Sequence, residues 1–531
     1  MPDTSRTDIS RRGVVTATAT LSLMAAAGAA HAQTTASVER WGFHEITLSG
    51  PSAGNPFIDV SLKADFTDGK SVLSVPGFYD GDGVYKLRFS PPSEGNWRWV
   101  TKSNTAALNA QSGTLTATAP TGKNHGPMQV VEGYHFAYAD GTPFRQIGTT
   151  CYAWAQQSEA RCAETIETLK TSPYNKLRMC LFPNVGHEPI HPFVQTGEGD
   201  RDWDATRFNP EYFRIFDRRV QALYEIGVEA DVIIFHPYDK KRGFSDMTRT
   251  QDERLVRYLI ARLSAWRHVW WSAANEYDLI ETKSMDDWDH ILRLIQLEDP
   301  HQRLRSIHNI KRLYNNHKPW ITHSSVQNGS AILDDRTAET YRSVWEKPVI
   351  FDEVCYEGNI PARWGNLTGE QMVGAFWQGL IAGTYVGHSE TYTPGNTGPD
   401  SSWLGKGGKL LGTSTPRLAF LRQIMEDGPA PGINPIDKWW ERHLGGVEGK
   451  YYLRYFGTDA PAEWAVNVPK NGITGGEQFR VDIIDTWNMT ITPVEGVFTL
   501  AKKDDYDFHD PKRPKIKLPK KKYIAVRLTR V

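Results

Sequence analysis

From about residue 128 to residue 427 the chain alternates short apolar runs with longer amphipathic ones, and this alternation restricts the fold more than any other feature. The apolar runs are "FRQIGTT", "KLRMCLF", "EADVIIFH", "HVWWSAANE", "LRSIHN", "PWITHSS", "KPVIFDE" and "GTYVGHSE". Helix-like stretches such as "EYFRIFDRRVQALYEIG" and "DERLVRYLIARLSAW" lie between several of them. The first of these places Phe213, Phe216, Val220, Leu223 and Tyr224 on one stripe. Thr368 opens "TGEQMVGAFWQGLIAG" as an N-cap. Eight such repeats in roughly 300 residues predict an α/β fold, a (β/α)8 TIM barrel rather than an open doubly wound sheet. No GxGxxG follows the first strand and no GxxxxGK[ST] occurs, so nucleotide binding loses its main support.

On either side the period changes to two. Residues 33–122 contain "FIDVSLKADF", "GVYKLRFSP" and "NWRWVTKS", which alternate apolar and polar residues between turn signals such as Asp80-Gly81-Asp82-Gly83. An N-terminal β-sandwich is expected there. The linker "TAPTGKNHGP" leads to the barrel, 128–427. After "DGPAPGINP", the runs "KYYLRYFG", "EWAVNVP", "FRVDIIDTWNMTI" and "KKYIAVRLTRV" predict a C-terminal β-sandwich over 434–531. Its basic run "PKRPKIKLPKKKY" suits a solvated hairpin guarding an edge strand better than a site for acidic glycan.

Residues 1–32 read as an export signal. Arg11-Arg12 precedes a small, apolar segment that closes on Ala30-His31-Ala32, an A-x-A cleavage site after Ala32. Ser10-Arg11-Arg12 resembles a twin-arginine start. The expected location is periplasmic or secreted. No later run has the ~20 apolar residues a membrane span needs. Cleavage removes three Arg and two Asp, moving the net charge from -1 to -2; nothing in that balance suggests nucleic acid. The remaining cysteines, Cys151, Cys162, Cys180 and Cys355, are scattered like small core residues. Oligomeric state is not legible.

A barrel of this kind binds ligands at the C-terminal ends of its strands. The fourth run ends on Asn275-Glu276 and the seventh on Asp352-Glu353. Carboxylates from opposite sides of a barrel converge across its mouth, which is the equipment for glycosidic bond cleavage. Strand alternation lets only one of Asp352 and Glu353 face the axis. His236, His308, His323 and His388 end four further strands and suggest a ring of sugar-binding groups. Trp154, Tyr152, Tyr392, Trp364 and Trp403 lie in the following loops, where they could floor a sugar pocket; at 11% aromatic residues the chain has many to spare. Glu357, Glu390 and Asp278 are further carboxylates near the same face. Neither an early H-x-H nor a Cys/His zinc spacing is present, so no metal and no cofactor is expected. The absence of a G-x-S-x-G elbow counts against an esterase.

These strand ends resemble those of clan-A glycoside hydrolases. "HFAYADGTPFRQIGTTCYAW", "GVYKLRFSPPSEGNWRW" and "FRVDIIDTWNMTI" resemble, in order, the barrel start, N-terminal sandwich and C-terminal sandwich of the apiosidase-like, cellulase-related exported family. The resemblance implies a retaining glycosidase acting by double displacement on plant or microbial oligosaccharide or polysaccharide. It casts Glu276 as general acid/base, Glu353 as nucleophile, Asn275 as a partner of the sugar 2-hydroxyl and Arg178 as the arginine that orients the nucleophile. The nearest activity class it suggests is release of an unusual terminal pentose or deoxysugar. One departure from cellulases is "GHSETY" at the end of strand eight, where an evident Trp is missing. The rival readings are a carbohydrate-binding barrel without activity and, more remotely, a metal-dependent hydrolase.

Overall fold

A computed structural model supplies the structure, described here for residues 36–183, 190–393, 395, 398–436 and 443–531; the export signal read at 1–32 lies outside the described residues. Eight parallel strands form the centre: β1 Gly148–Thr150, β2 Lys176–Cys180, β3 Glu229–Phe235, β4 Val269–Ala274, β5 Arg305–Ser306, β6 Ser324–Gln327, β7 Val349–Glu353 and β8 Tyr385–His388. They pair in the order β5-β4-β3-β2-β1-β8-β7-β6. A parallel bridge between His308 and Ser325 brings the two edges together and closes the barrel. Among the described residues seven helices of more than two turns flank it: α1 Glu159–Lys170, α2 Pro210–Ile226, α3 Arg249–Leu263, α4 Met285–Glu298, α5 Asp335–Trp345, α6 Gly369–Ile381 and α7 Ser414–Glu426. Among the described residues no helix separates β5 from β6; turns carry the chain across.

Local chemistry explains the elements. Every residue of β3 is buried, including Val232, Ile233, Ile234 and Phe235, as expected for a parallel strand covered on both faces. Helix α2 starts with Pro210 behind the Asn209 cap and stops at Gly227, whose φ of 73° supplies the left-handed C-cap. Its buried face is Phe213, Phe216, Val220 and Leu223. Thr368 caps α6 in a reciprocal box with Gln371.

The N-terminal segment forms a seven-stranded sheet. Its strand Val72–Tyr79 pairs with Leu62–Thr67 through its first half and with Val84–Phe89 through its second. The sheet thereby turns a corner and folds over, stacking Phe66 on Phe89 at 4.0 Å. The C-terminal segment builds a larger antiparallel sheet, with two small ones, around Phe479, Val481, Val526 and Leu528. Tyr455 of that sheet stacks on Trp377 of α6. All four cysteines are unbridged. Among the described residues no helix is long and apolar enough to cross a membrane.

Charge joins the N-terminal sheet to the barrel. Arg262 of α3, 1% exposed, meets Asp80 at 2.8 Å and Asp217 of α2 at 2.8 Å. Arg88 of the sheet meets the same Asp217 at 2.7 Å and donates to the Arg262 carbonyl. Removing one member of a buried network strands the others without water. Arg262→Ala should therefore cost about 3–5 kcal/mol, read as a drop in the midpoint of denaturant unfolding.

Candidate active site

Glu276 stands two residues beyond β4, after Asn275, and its backbone lies in the left-handed region at φ 45° and ψ 50°. Such a conformation is uncommon outside glycine and costs on the order of 1–3 kcal/mol. It swings the side chain out of the strand's alternation, beside Asn275 rather than opposite it. Glu276 is 4% exposed and accepts a hydrogen bond from the Tyr238 hydroxyl on the loop after β3. Burial raises its pKa first and the Glu353 charge adds to that; Tyr238 and Gln327 pull back, and the group is pushed up to about 7.

Glu353 ends β7. Its Oε1 accepts from the Tyr152 hydroxyl and lies 3.4 Å from His308 Nε2 and 3.7 Å from Arg178 Nη1. Burial raises its pKa, but His308 once protonated on acidification, the Arg178 guanidinium and Tyr152 outweigh that, holding it below the usual carboxylate range. One carboxyl is thus kept protonated near neutrality while its neighbour is kept ionised.

Beneath them lies a buried charge network. Lys176 and Arg178, two apart on β2, share the face turned into the barrel. Lys176 Nζ lies 2.6 Å from Asp231 and 3.0 Å from Asp352. Arg178 stands 3.7 Å from Asp231 and 3.8 Å from Asp352, and donates from Nη2 to Asn275 Oδ1 at 2.9 Å. Ser325 Oγ donates to Asp352 Oδ2 at 2.6 Å, and His308 Nδ1 lies 3.0 Å from the same Oγ.

The expectation that only one of Asp352 and Glu353 faces inward requires correction, since both reach Arg178. The β6–β7 register explains it: Ser325 pairs with Ile350 but Gln327 with Glu353, so β7 carries an extra residue. A bulge suspends the alternation at this point. Asp352 serves Lys176 and Ser325 within the barrel, and Glu353 stands at the mouth.

The proposed histidine ring also needs correction, because only His308 meets the carboxylate pair. His323 precedes β6 instead of ending it, and its buried ring meets the edges of Phe136 and Trp270 among the barrel's lower side chains. His388 does end β8 but shares the outward face of Val386, which packs on Gly379 of α6. Its ring stacks on Tyr174 at 4.6 Å and pairs with Thr149. His236 contacts the Phe182 carbonyl through Nε2 and accepts from the Tyr238 amide. Its part is to hold Tyr238, on which it stacks, against Glu276.

Trp154 is fully buried in the core that surrounds the barrel, so its indole floors no open pocket. Tyr392 and Glu390 belong to a second cluster with Glu357. Tyr392 donates to Glu357, while Glu390 accepts the Leu411 and Gly412 amides. Glu357 takes the amides of Thr413 and Ser414 at the start of α7. Burial, with the Glu357 charge, pushes Glu390 up to about 7. Glu357, His388 and Glu390 bring ligand atoms within 4.8 Å of one another, close enough for a metal ion. The carboxylates are nevertheless committed to amide donors at a helix N-terminus, a setting that favours anions over cations. The cluster's evident work is to fasten the chain leading into α7.

Sequence reasoning overlooked Tyr238, Gln327, Ser325, Lys176 and Asp231, and took Tyr152 for a stacking ring although it acts through its hydroxyl. Two charges at i and i+2 in "KLRMC" inside an otherwise apolar barrel strand were the available signal for the buried network.

An apiosidase-like catalytic domain model matches residues 131–393. Models described only as domains of unknown function match 37–104 and 440–529. A search of curated proteins finds no match. A crystal structure from Bacteroides vulgatus ATCC 8482, of a protein provisionally classed as a glycoside hydrolase, is 36% identical; the alignment covers 94% of this chain and 100% of that one, with a TM-score of 0.90. A family 5 glycoside hydrolase from the same organism shares the fold at 16% identity, covering 76% of this chain and 93% of its own, with a TM-score of 0.56. With near-complete coverage at that identity and the catalytic-domain match, the chain belongs to the apiosidase-like family of glycoside hydrolases and is a glycosidase.

Proposed function

We propose that the enzyme is a retaining glycosidase of exported oligosaccharide or polysaccharide breakdown, with Glu276 as acid/base and Glu353 as nucleophile. The observation that carries this is the split between the two carboxyls: Glu353's charge helps hold a proton on Glu276 while Arg178 and Tyr152 keep Glu353 ionised. Two carboxyls driven apart in this way take the acid and nucleophile roles.

In the first step Glu276 passes its proton to the departing oxygen as Glu353 attacks the anomeric carbon. The contacts described for Glu353 all fall on Oε1, so Oε2 makes the bond. Oε1 then becomes the ester carbonyl oxygen, still facing Tyr152 and Arg178. Esterification removes the negative charge that, after burial, helped raise Glu276, whose lowered pKa suits it to take a proton from water in the second step. Asn275 spends its carbonyl on Arg178, which leaves its buried Nδ2 without a protein partner. That donor fits the sugar 2-hydroxyl, a contact that strengthens in the transition state.

The matched family's description is apiosidase-like, and release of an unusual terminal pentose or deoxysugar is the activity class we carry forward. Export through the 1–32 signal belongs to the same reading. Proton NMR of the first product released from an aryl glycoside tests the stereochemistry. Retained anomeric configuration is expected, and inversion would end the double-displacement reading.

A further inference from the structure

The hydrogen bonds behind the nucleophile have a direction, and it settles a proton. Asp352 is buried against Lys176 and Arg178, which hold it ionised well below the usual carboxylate range. An ionised carboxylate only accepts, so the 2.6 Å contact with Ser325 Oγ uses the serine's single hydrogen. Ser325 Oγ must then accept in its 3.0 Å contact with His308 Nδ1, which requires the hydrogen to sit on Nδ1. In the neutral ring the other nitrogen is bare, and it stands 3.4 Å from Glu353 Oε1.

We infer that Ser325 is a positioning residue that fixes the His308 proton on Nδ1, so that the neutral ring offers the nucleophile no donor and any second proton lands on Nε2, against Glu353. This rests on the reading of Glu353 as nucleophile. The charged groups around the ring are Arg178 from β2 and Asp352 and Glu353 from β7, while β6 contributes the uncharged Ser325. Burial, followed by Arg178, lowers the pKa of His308, and Glu353 and Asp352 oppose that only in part. Near neutrality the ring is therefore uncharged and Glu353 keeps its full nucleophilicity. On acidification the ring gains a proton on Nε2, pairs with Glu353 and restrains the attack, so the acid limb of activity belongs to the His308–Glu353 pair.

Ser325→Ala releases the ring to its other tautomer, with Nε2–H donating to Glu353 even when neutral. The measurement is kcat and kcat/KM against pH on an aryl glycoside whose first step is rate-limiting, for wild type, Ser325→Ala and Ser325→Thr, each checked for folding by its Tm. For the alanine variant we expect kcat to fall about tenfold on the plateau with KM little changed. Its acid limb should move to lower pH by about one unit, because Glu353 already holds a donor and the next proton must enter the space Ser325 vacated. Threonine keeps the hydroxyl and should restore both. An acid limb in folded Ser325→Ala that overlies wild type overturns the inference, as does folded Ser325→Thr behaving like alanine. Azide adduct formation by Glu353→Ala separates the two levels. No adduct removes the nucleophile and this inference together; an adduct with an unmoved acid limb removes the inference alone.

Discussion

Glu353→Ala should reduce kcat on an aryl glycoside by about 10⁴- to 10⁶-fold, the range typical of losing a covalent nucleophile. Azide should then recover turnover as a glycosyl azide of inverted anomeric configuration, because the truncated side chain leaves room for a small anion on the attacking face. Asp352→Ala should behave differently. Its carboxylate lies 3.0 Å from Lys176 and accepts from Ser325 within the barrel, so its loss leaves the buried Lys176 and Arg178 with one counter-charge fewer and Ser325 without its acceptor. We expect lower stability and no azide product. Product analysis with both variants decides which carboxylate attacks; an azide adduct from Asp352→Ala in place of Glu353→Ala would reverse the assignment.

Glu276→Ala should show an effect that depends on the leaving group. A sugar or alkyl alcohol needs a proton to depart, and losing the general acid should cost about 10²- to 10⁴-fold in kcat/KM. An activated nitrophenol departs unaided, so its first step should change little. The pH profile supplies a second readout. Glu276 must be protonated for the first step, so wild-type activity falls as pH rises through about 7. That basic limb should vanish in Glu276→Ala with the activated substrate. In Glu353→Gln, the Glu353 charge that helps raise Glu276 is gone, and Glu276 should titrate at lower pH when followed by infrared spectroscopy of its carboxyl. A basic limb that persists unchanged in Glu276→Ala would assign the proton donor elsewhere.

The barrel was legible because eight apolar runs alternate with amphipathic ones, and burial on both faces leaves an unbroken stamp such as "ADVIIF". Glu276 was legible because a strand that buries Trp270 and Trp271 has no packing reason to finish on Asn275-Glu276. The direction of a side chain at a strand end was much harder to read. His388 and His308 lie at equivalent places in the sequence pattern, yet one turns away to stack on Tyr174 and the other faces Glu353, because a single step of the pleat reverses the side. His323 was misplaced by a register error, since β6 starts one residue after it. Both Asp352 and Glu353 reach Arg178 because of one extra residue in β7, which no local periodicity reveals. Tyr238 went unnoticed because its role depends on the left-handed turn at Glu276 and on His236 bracing it from behind. These are tertiary facts, written across elements far apart in the chain.

The quadrant without a helix between β5 and β6 has its own consequence. The carboxylate of Asp278, two residues beyond Glu276, receives three consecutive amides, those of Ile310, Lys311 and Arg312. That carboxylate pins the first part of the crossing to the turn that carries Glu276, while Tyr314, Trp320 and Ile321 bury its later part in the core. The exposed positions Lys311, Arg312 and Leu313 can be exchanged or extended with less harm to the scaffold than a helical neighbour, provided Asp278 keeps its grip. For an engineer wishing to redirect this glycosidase toward another glycan, that side of the rim is the natural place to graft new chain.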